Sequence, residues 1–228
     1  MSIGNHSFNV LQLLDRKLSE KLVKAGSYEG GHQIWECTND LITYVCSESL
    51  PLSQCSLPTT VLDLGCGTGL LGIAAHKLLE KSGFNVNLVF QDMNEEVIKS
   101  SLVPTVMANS CGEKAHYVVS SWETMAQNLS TLLTPFQDNR KIILSSETLY
   151  NPDQYPHLCS IVRDLITGND DIALFATKRY YFGVGGGTEQ FKRYIEENTS
   201  QLFCEVIQSF EDGKSNTRDI LKISKKKH

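Results

Sequence analysis

Apolar positions along this chain alternate between two rhythms. From residue 59 onward, short and mostly apolar runs recur at Val61–Leu64, Val86–Phe90, Tyr117–Val119, Ile142–Leu144, Ile172–Ala176, Phe203–Ile207 and Ile220–Ile223. These apolar, β-type runs predict strands, and their alternation with helical stretches predicts a sheet covered on both faces. Between them, Leu70–Lys81, Glu95–Met107, Gln154–Ile166 and Thr188–Glu197 carry apolar residues at helical spacing. Strand, helix, strand, helix with short connections means a mostly parallel α/β sheet. The last two runs are separated only by a loop around Asp212-Gly213, which fits a hairpin and predicts one antiparallel strand.

Ahead of this alternation the pattern is purely helical. Ile34–Cys46 predicts one helix, and Leu11, Leu13, Leu14, Leu18 and Leu22 recur at helix-like intervals in a lead-in over residues 1–26. No repeat or low-complexity linker interrupts the chain. The expected organisation is a lead-in over 1–58 joined in one globular unit to a domain over 59–228.

Composition narrows the setting. The 228 residues are 41% hydrophobic and 21% charged, with a net charge of −5, which suits a cored domain and not a dedicated nucleic-acid binder. Lys222 and Lys225–Lys227 form the one basic cluster, expected to be a frayed, solvated tail. Seven cysteines are scattered without a Cys-x-x-Cys pair, which argues against a disulfide framework or zinc site and for a reducing compartment. Met1–Val10 lacks a signal pattern and no apolar run approaches a bilayer's span. A soluble protein of the cytoplasm or nucleus is expected, with no membrane partner and as a monomer. Of the histidines, only His32 sits among the residues singled out below; the others show no ligand spacing, and no metal is implied.

The sharpest chemical signal is Asp63-Leu-Gly-Cys-Gly-Thr-Gly69, which follows a predicted strand and opens a predicted helix. Glycines there let backbone approach a ligand closely, and the helix start offers free N–H groups. The spacing is Gly-x-Gly-x-Gly and not the dinucleotide pattern Gly-x-Gly-x-x-Gly. A second acid, Asp92, ends the next strand, where an acid hydrogen-bonds ribose hydroxyls; a helix N-cap is its competing role. A nucleotide-like ligand without pyrophosphate suits such a loop.

Together, this loop and Asp92 resemble motif I and the ribose acid of class I S-adenosylmethionine-dependent methyltransferases. The resemblance covers roughly residues 60–223 and implies seven strands in the order 3-2-1-4-5-7-6, with strand 7 antiparallel. Three further segments are Tyr28-Glu-Gly-Gly-His-Gln-Ile-Trp-Glu-Cys-Thr38, Ser145-Ser-Glu-Thr-Leu-Tyr-Asn-Pro152 and Tyr181-Phe-Gly-Val-Gly-Gly-Gly187. They resemble the protein-histidine methyltransferases, which modify a histidine of a large-subunit ribosomal protein. Family members often carry a long polar N-terminal extension, which departs from this chain.

By position, the resemblance implies a cofactor site in which Ile34, Trp35, Glu36, Cys37 and Thr38 meet the methionine half of S-adenosylmethionine. Gly65 and Gly67 would lie under it, with Gln91, Asp92 and Met93 at ribose and adenine, Ser120, Ser121 and Trp122 at adenine, and Ser146 near the methyl. The lead-in thereby contributes to the site, and S-adenosylhomocysteine is the implied product. Trp122 and Trp35 have a plain alternative as core aromatics. Glu147 and Tyr150 fall past the fourth strand, where open parallel sheets place active sites. Glu147 is assigned to accept an imidazole N–H and Tyr150 to shape the pocket; helix capping by Glu147 and packing by Tyr150 compete. The loop Phe182–Gly187 reads equally as a lid or substrate contact and as a turn needing positive φ. A protein substrate is implied, the ribosomal protein in particular. A lysine acceptor, a nucleic-acid acceptor and a non-catalytic cofactor-binding module remain as alternatives.

Overall fold

The computed structural model describes residues 2–3, 6–7, 30–47, 57–211, 213 and 216–227; most of the lead-in over 1–26, its leucines included, lies outside the described residues. Seven strands form one sheet: β1 (Thr59–Leu64), β2 (Val86–Asp92), β3 (Ala115–Val119), β4 (Arg140–Ser146), β5 (Ile172–Lys178), β6 (Leu202–Phe210) and β7 (Arg218–Lys225). Their order is β3-β2-β1-β4-β5-β7-β6. β1 to β5 run parallel, whereas β7 is antiparallel to both β5 and β6. Both the order and the antiparallel strand match the expectation.

Helices cover both faces. The principal ones are α1 (Glu36–Ser47), α2 (Leu70–Lys81), α3, α4 (Trp122–Leu132), α5 (Tyr155–Leu165) and α6 (Thr188–Asn198). α3 begins at Glu95–Val97, passes through a π-helical stretch over Ile98–Leu102 and continues over Val103–Ala108. Pro104, which has no N–H for the helical ladder, stands just past the widened turn. Successive residues of β1 point to opposite faces: Val61 joins the core under α1, α2 and α3, while Leu62 joins the core under α4, α5 and α6.

Two expectations need correction. Helix α4 is absent from the periodic segments because its buried face is only Met125 and Leu129, and Asn128 at φ −118° kinks it. The basic cluster is only in part a solvated tail: Lys226 and Lys227 follow the last strand and are exposed, but its other lysines are held. Lys222 and Lys225 belong to β7; the first lies 3.7 Å from Glu205, and the second donates to the Thr167 carbonyl at 2.8 Å.

The antiparallel end of the sheet is pinned by buried Asp219 on β7. Its carboxylate accepts from Arg179 at 2.8 and 3.1 Å, from Thr188 at 2.8 Å and from Ser209 at 2.7 Å. Next to it, Arg218 Nε donates to Asp40 of α1 at 2.5 Å. Burial alone raises the Asp219 carboxyl, but the bonds from Arg179, Ser209 and Thr188 outweigh it and hold the group below its ordinary value. Its stabilisation is therefore complete above the unfolded value of 3.8 and is lost as pH falls through the lower folded value. Asp219→Asn should cost about 3 kcal/mol at neutral pH, read from the urea midpoint, and should weaken the loss of stability on acidification.

Candidate active site

Chain order reverses at β1. The path runs from β1 outward to β2 and β3, then crosses back to β4 on the other side, and such a switch point opens a crevice at the carboxyl ends of the strands. A cavity of about 290 Å³ occupies it. The glycine loop forms its floor. Gly65 and Gly67 have φ of +68° and +50°, a region that favours glycine. A Cβ at Gly67 would stand 2.8 Å from the Gly31 carbonyl oxygen, and one at Gly65 would stand 2.7 Å from Thr148. The loop is thus clamped between the upstream segment and the turn after β4.

Gln91 fixes the loop from the β2 side. Its Oε1 accepts from the Gly65 N–H at 3.1 Å and from Trp122 Nε1 at 3.0 Å, and its Nε2 donates to the Ser120 carbonyl at 2.6 Å. Asp92 accepts from the N–H groups of Gly67 at 3.0 Å and Asn94 at 2.9 Å. The helix cap belongs to Asn94, whose side chain accepts from Glu96 and Val97 N–H groups, so Asp92 is not the N-cap. Asp63 lies below, fully buried, accepting the Gly72 N–H at 2.8 Å. It braces the loop and does not line the cavity. Desolvation, with the Asp92 charge adding to it, pushes its carboxyl up to about 8 despite that bond.

The upstream segment closes the crevice. Trp35 Nε1 donates to the Gly30 carbonyl at 3.3 Å, and Thr38 exchanges a hydrogen bond with Ser146 at 2.9 Å. His32 is a tether outside the cavity, bonded to Ser101 of the π-helical turn at 2.6 Å. Of the expected cofactor residues, Ile34, Trp35, Thr38, Gly65, Gly67, Gln91, Asp92, Met93, Ser121, Trp122 and Ser146 line the cavity; Glu36, Cys37 and Ser120 do not. Glu36 points toward Arg218, 3.9 Å away. Cys37 is buried in the core, where burial and then the Glu147 charge push its thiol up. Ser120 contributes its backbone carbonyl, through Gln91.

Glu147 and Tyr150 both line the cavity. Glu147 adopts φ +58°, and its N–H donates to the Ala176 carbonyl at 2.9 Å. It caps no helix; Asn151 caps the 3₁₀ turn over Pro152–Gln154 that leads into α5. Glu147 Oε2 accepts the Tyr181 hydroxyl at 2.5 Å. Oε1 is buried without a hydrogen-bond partner, and Lys178 Nζ lies 3.8 Å from it. Burial first, and the Glu147 charge second, raise the Tyr181 hydroxyl, which keeps it a donor. Tyr150 meets Tyr181 edge to face at 6.2 Å.

The triple-glycine loop fits the turn reading. A Cβ at Gly186 would stand 2.3 Å from the Leu149 carbonyl oxygen, and the Gly187 N–H bonds both that carbonyl, at 2.9 Å, and Tyr155 Oη, at 3.0 Å. Its glycines buttress the Glu147–Tyr150 turn, while Phe182 and Val184 stand out in solvent. The role of Tyr181 and Lys178 at the carboxylate escapes a reading of the sequence. Tyr181 falls within a segment singled out above, but Lys178 ends β5 with no local mark. Thr148 and Gln154 also line the cavity unannounced.

Strand order, switch-point crevice and glycine loop are those of the class I methyltransferase fold. A family model described as lysine methyltransferase matches residues 17–201, and the chain belongs to that family. It is 36% identical to a histidine protein methyltransferase 1 homolog of Dictyostelium discoideum over 202 residues, which is 88% of this chain and 60% of the relative. It is also 36% identical to the Bos taurus homolog, over 76% of this chain and 50% of that one. The chain thus spans half to three-fifths of the length of these relatives. Among solved structures, a Listeria monocytogenes protein described as a class I S-adenosylmethionine-dependent methyltransferase superposes with a TM-score of 0.58 at 18% identity. That match covers 86% of this chain and 64% of the other.

A neutral Asp63 has a measurable consequence. With its folded carboxyl raised to about 8 and the unfolded one at 3.8, the folded state holds an extra proton between those values, so stability falls as pH rises through that window. Asp63→Asn should flatten this fall, seen by comparing urea unfolding at pH 5 and pH 8; an unchanged slope would count against the assignment.

Proposed function

We propose that this chain is an S-adenosylmethionine-dependent protein methyltransferase that modifies a histidine side chain, in the first instance that of a large-subunit ribosomal protein. The observation that carries the acceptor is Glu147, a cavity-lining carboxylate whose buried Oε1 has Lys178 3.8 Å away but accepts no hydrogen bond. A buried carboxylate oxygen without a hydrogen-bond donor is costly, and an imidazole N–H is a donor of the kind it lacks. The relatives' names support the same acceptor.

The crevice fits the cofactor. Its glycine floor leaves room that a Cβ would fill, and Asp92 retains acceptor capacity beyond the two N–H groups it holds. We assign Asp92 to the ribose, Trp122 and Ser121 to the adenine, and Ile34, Trp35, Thr38 and Ser146 to the amino-acid half. In this reading the lead-in over 1–58 completes the site of the domain over 59–228. When bound, S-adenosylmethionine supplies an electrophilic methyl group.

The chain's own residues then have little chemistry to perform beyond alignment. A neutral imidazole, with a free pKa near 6.5, already presents a lone pair at pH 7. Glu147 accepts the N–H on the far ring nitrogen, which selects the tautomer and stabilises the cation that develops. Tyr181 holds that carboxylate in place through Oε2, and Tyr150 walls the acceptor side.

Two substitutions separate binding from transfer. Asp92→Asn should weaken S-adenosylhomocysteine binding by about tenfold, the loss of one good hydrogen bond, measured by calorimetry. Glu147→Ala should leave that affinity intact and lower methyl transfer to a ribosomal fraction by about 10²–10³-fold. Mass spectrometry of the labelled fraction locates the methyl. Label on lysine or on RNA alone, or full turnover in Glu147→Ala, sinks the reading.

A further inference from the structure

Lys178 has no place in the reading above, yet it is the cation set against the acceptor carboxylate. Its Nζ lies 3.8 Å from Glu147 Oε1, with 26% of the side chain exposed. The same Nζ lies 5.8 Å from the Trp35 ring and 5.9 Å from the Tyr181 ring. The cavity's other acids, Asp92 and Glu123, belong to β2 and α4. Glu147 on the β4 side is thus the single cavity acid beside Lys178 among the described residues. Glu36, which lines the neighbouring hollow together with Lys178, is more than half exposed and faces Arg218.

This arrangement treats the two candidate acceptors differently. An amine acceptor reaches the site as an ammonium ion, since its free pKa is near 10.4. It needs a carboxylate whose charge is uncompensated, both to hold the cation and to take its proton. Here the carboxylate already has an ammonium group 3.8 Å away, reaching it from the neighbouring hollow. A neutral imidazole needs only the unpartnered oxygen, and a cation nearby does not repel it on arrival.

We propose that Lys178 is a specificity-determining residue, a built-in cation that excludes lysine side chains and admits neutral imidazole. This rests on the histidine reading above and names how the same site would achieve it.

The test compares wild type with Lys178→Met, Lys178→Gln and Lys178→Arg, using labelled cofactor, a ribosomal fraction and residue-level mass spectrometry. Wild type and Lys178→Arg should label histidine. Lys178→Met and Lys178→Gln should raise the ratio of labelled lysine to labelled histidine at least tenfold. Rescue of the ratio by arginine is a result that a purely structural role does not produce. A binding arm uses the S-adenosylhomocysteine-loaded protein titrated with n-butylammonium or 4-methylimidazole, followed at the Glu147 amide by NMR. Wild type should respond to 4-methylimidazole alone, and both neutral variants to either probe. Histidine label in wild type with an unchanged ratio and no gained n-butylammonium response overturns the role of Lys178 and leaves the histidine reading standing. Lysine label in wild type overturns both.

Discussion

Parallel strands buried on both faces cannot be joined by tight turns, and the site follows from that constraint. Each connection must cross a face of the sheet, so reversing direction at β1 leaves β1 and β4 with their carboxyl ends open between two departing loops. Into that opening fall the glycine loop from β1, Asp92 from β2, Trp122 after β3 and Glu147 from β4. Residues far apart in the chain meet because they all lie at strand ends on one side of the sheet.

Within the crevice, charge is managed by proximity. Asp63, sealed beneath the loop and near Asp92, is held neutral, which spares the floor a second buried anion. Asp92 is braced by two backbone N–H groups and so faces the cavity as a fixed acceptor. Glu147 is hydrogen-bonded by Tyr181 through one oxygen, while the other is buried without a hydrogen bond, 3.8 Å from Lys178. Fixed dipoles and a carboxylate oxygen that still lacks a hydrogen bond suit a reaction in which the protein's task is alignment.

The upstream segment and the triple-glycine loop serve this geometry from outside the sheet. The Gly31 carbonyl presses on Gly67, and Gly186 presses on Leu149 and Tyr150. Both contacts require a missing Cβ, so both explain their glycines through close backbone approach and not through mobility. His32 belongs with these tethers, bonded to Ser101.

Periodicity alone determined the alternating α/β architecture and the terminal hairpin, because a buried strand and an amphipathic helix each impose a repeat that survives in one dimension. The Gly-x-Gly-x-Gly loop and Asp92 were legible for the same reason: they depend on local backbone demands next to a strand end. Helix α4 was not, since its narrow buried face and kink at Asn128 leave little periodic trace. Only the tertiary structure decided between capping and cavity-facing roles for Asp92 and Glu147, assigning the caps to Asn94 and Asn151. It alone turned Glu36, Cys37 and Ser120 away from the cavity and brought Lys178 and Tyr181 to Glu147. Those pairings join side chains from separate strands and loops, and the direction a side chain takes at a strand end is set by packing that no local pattern records.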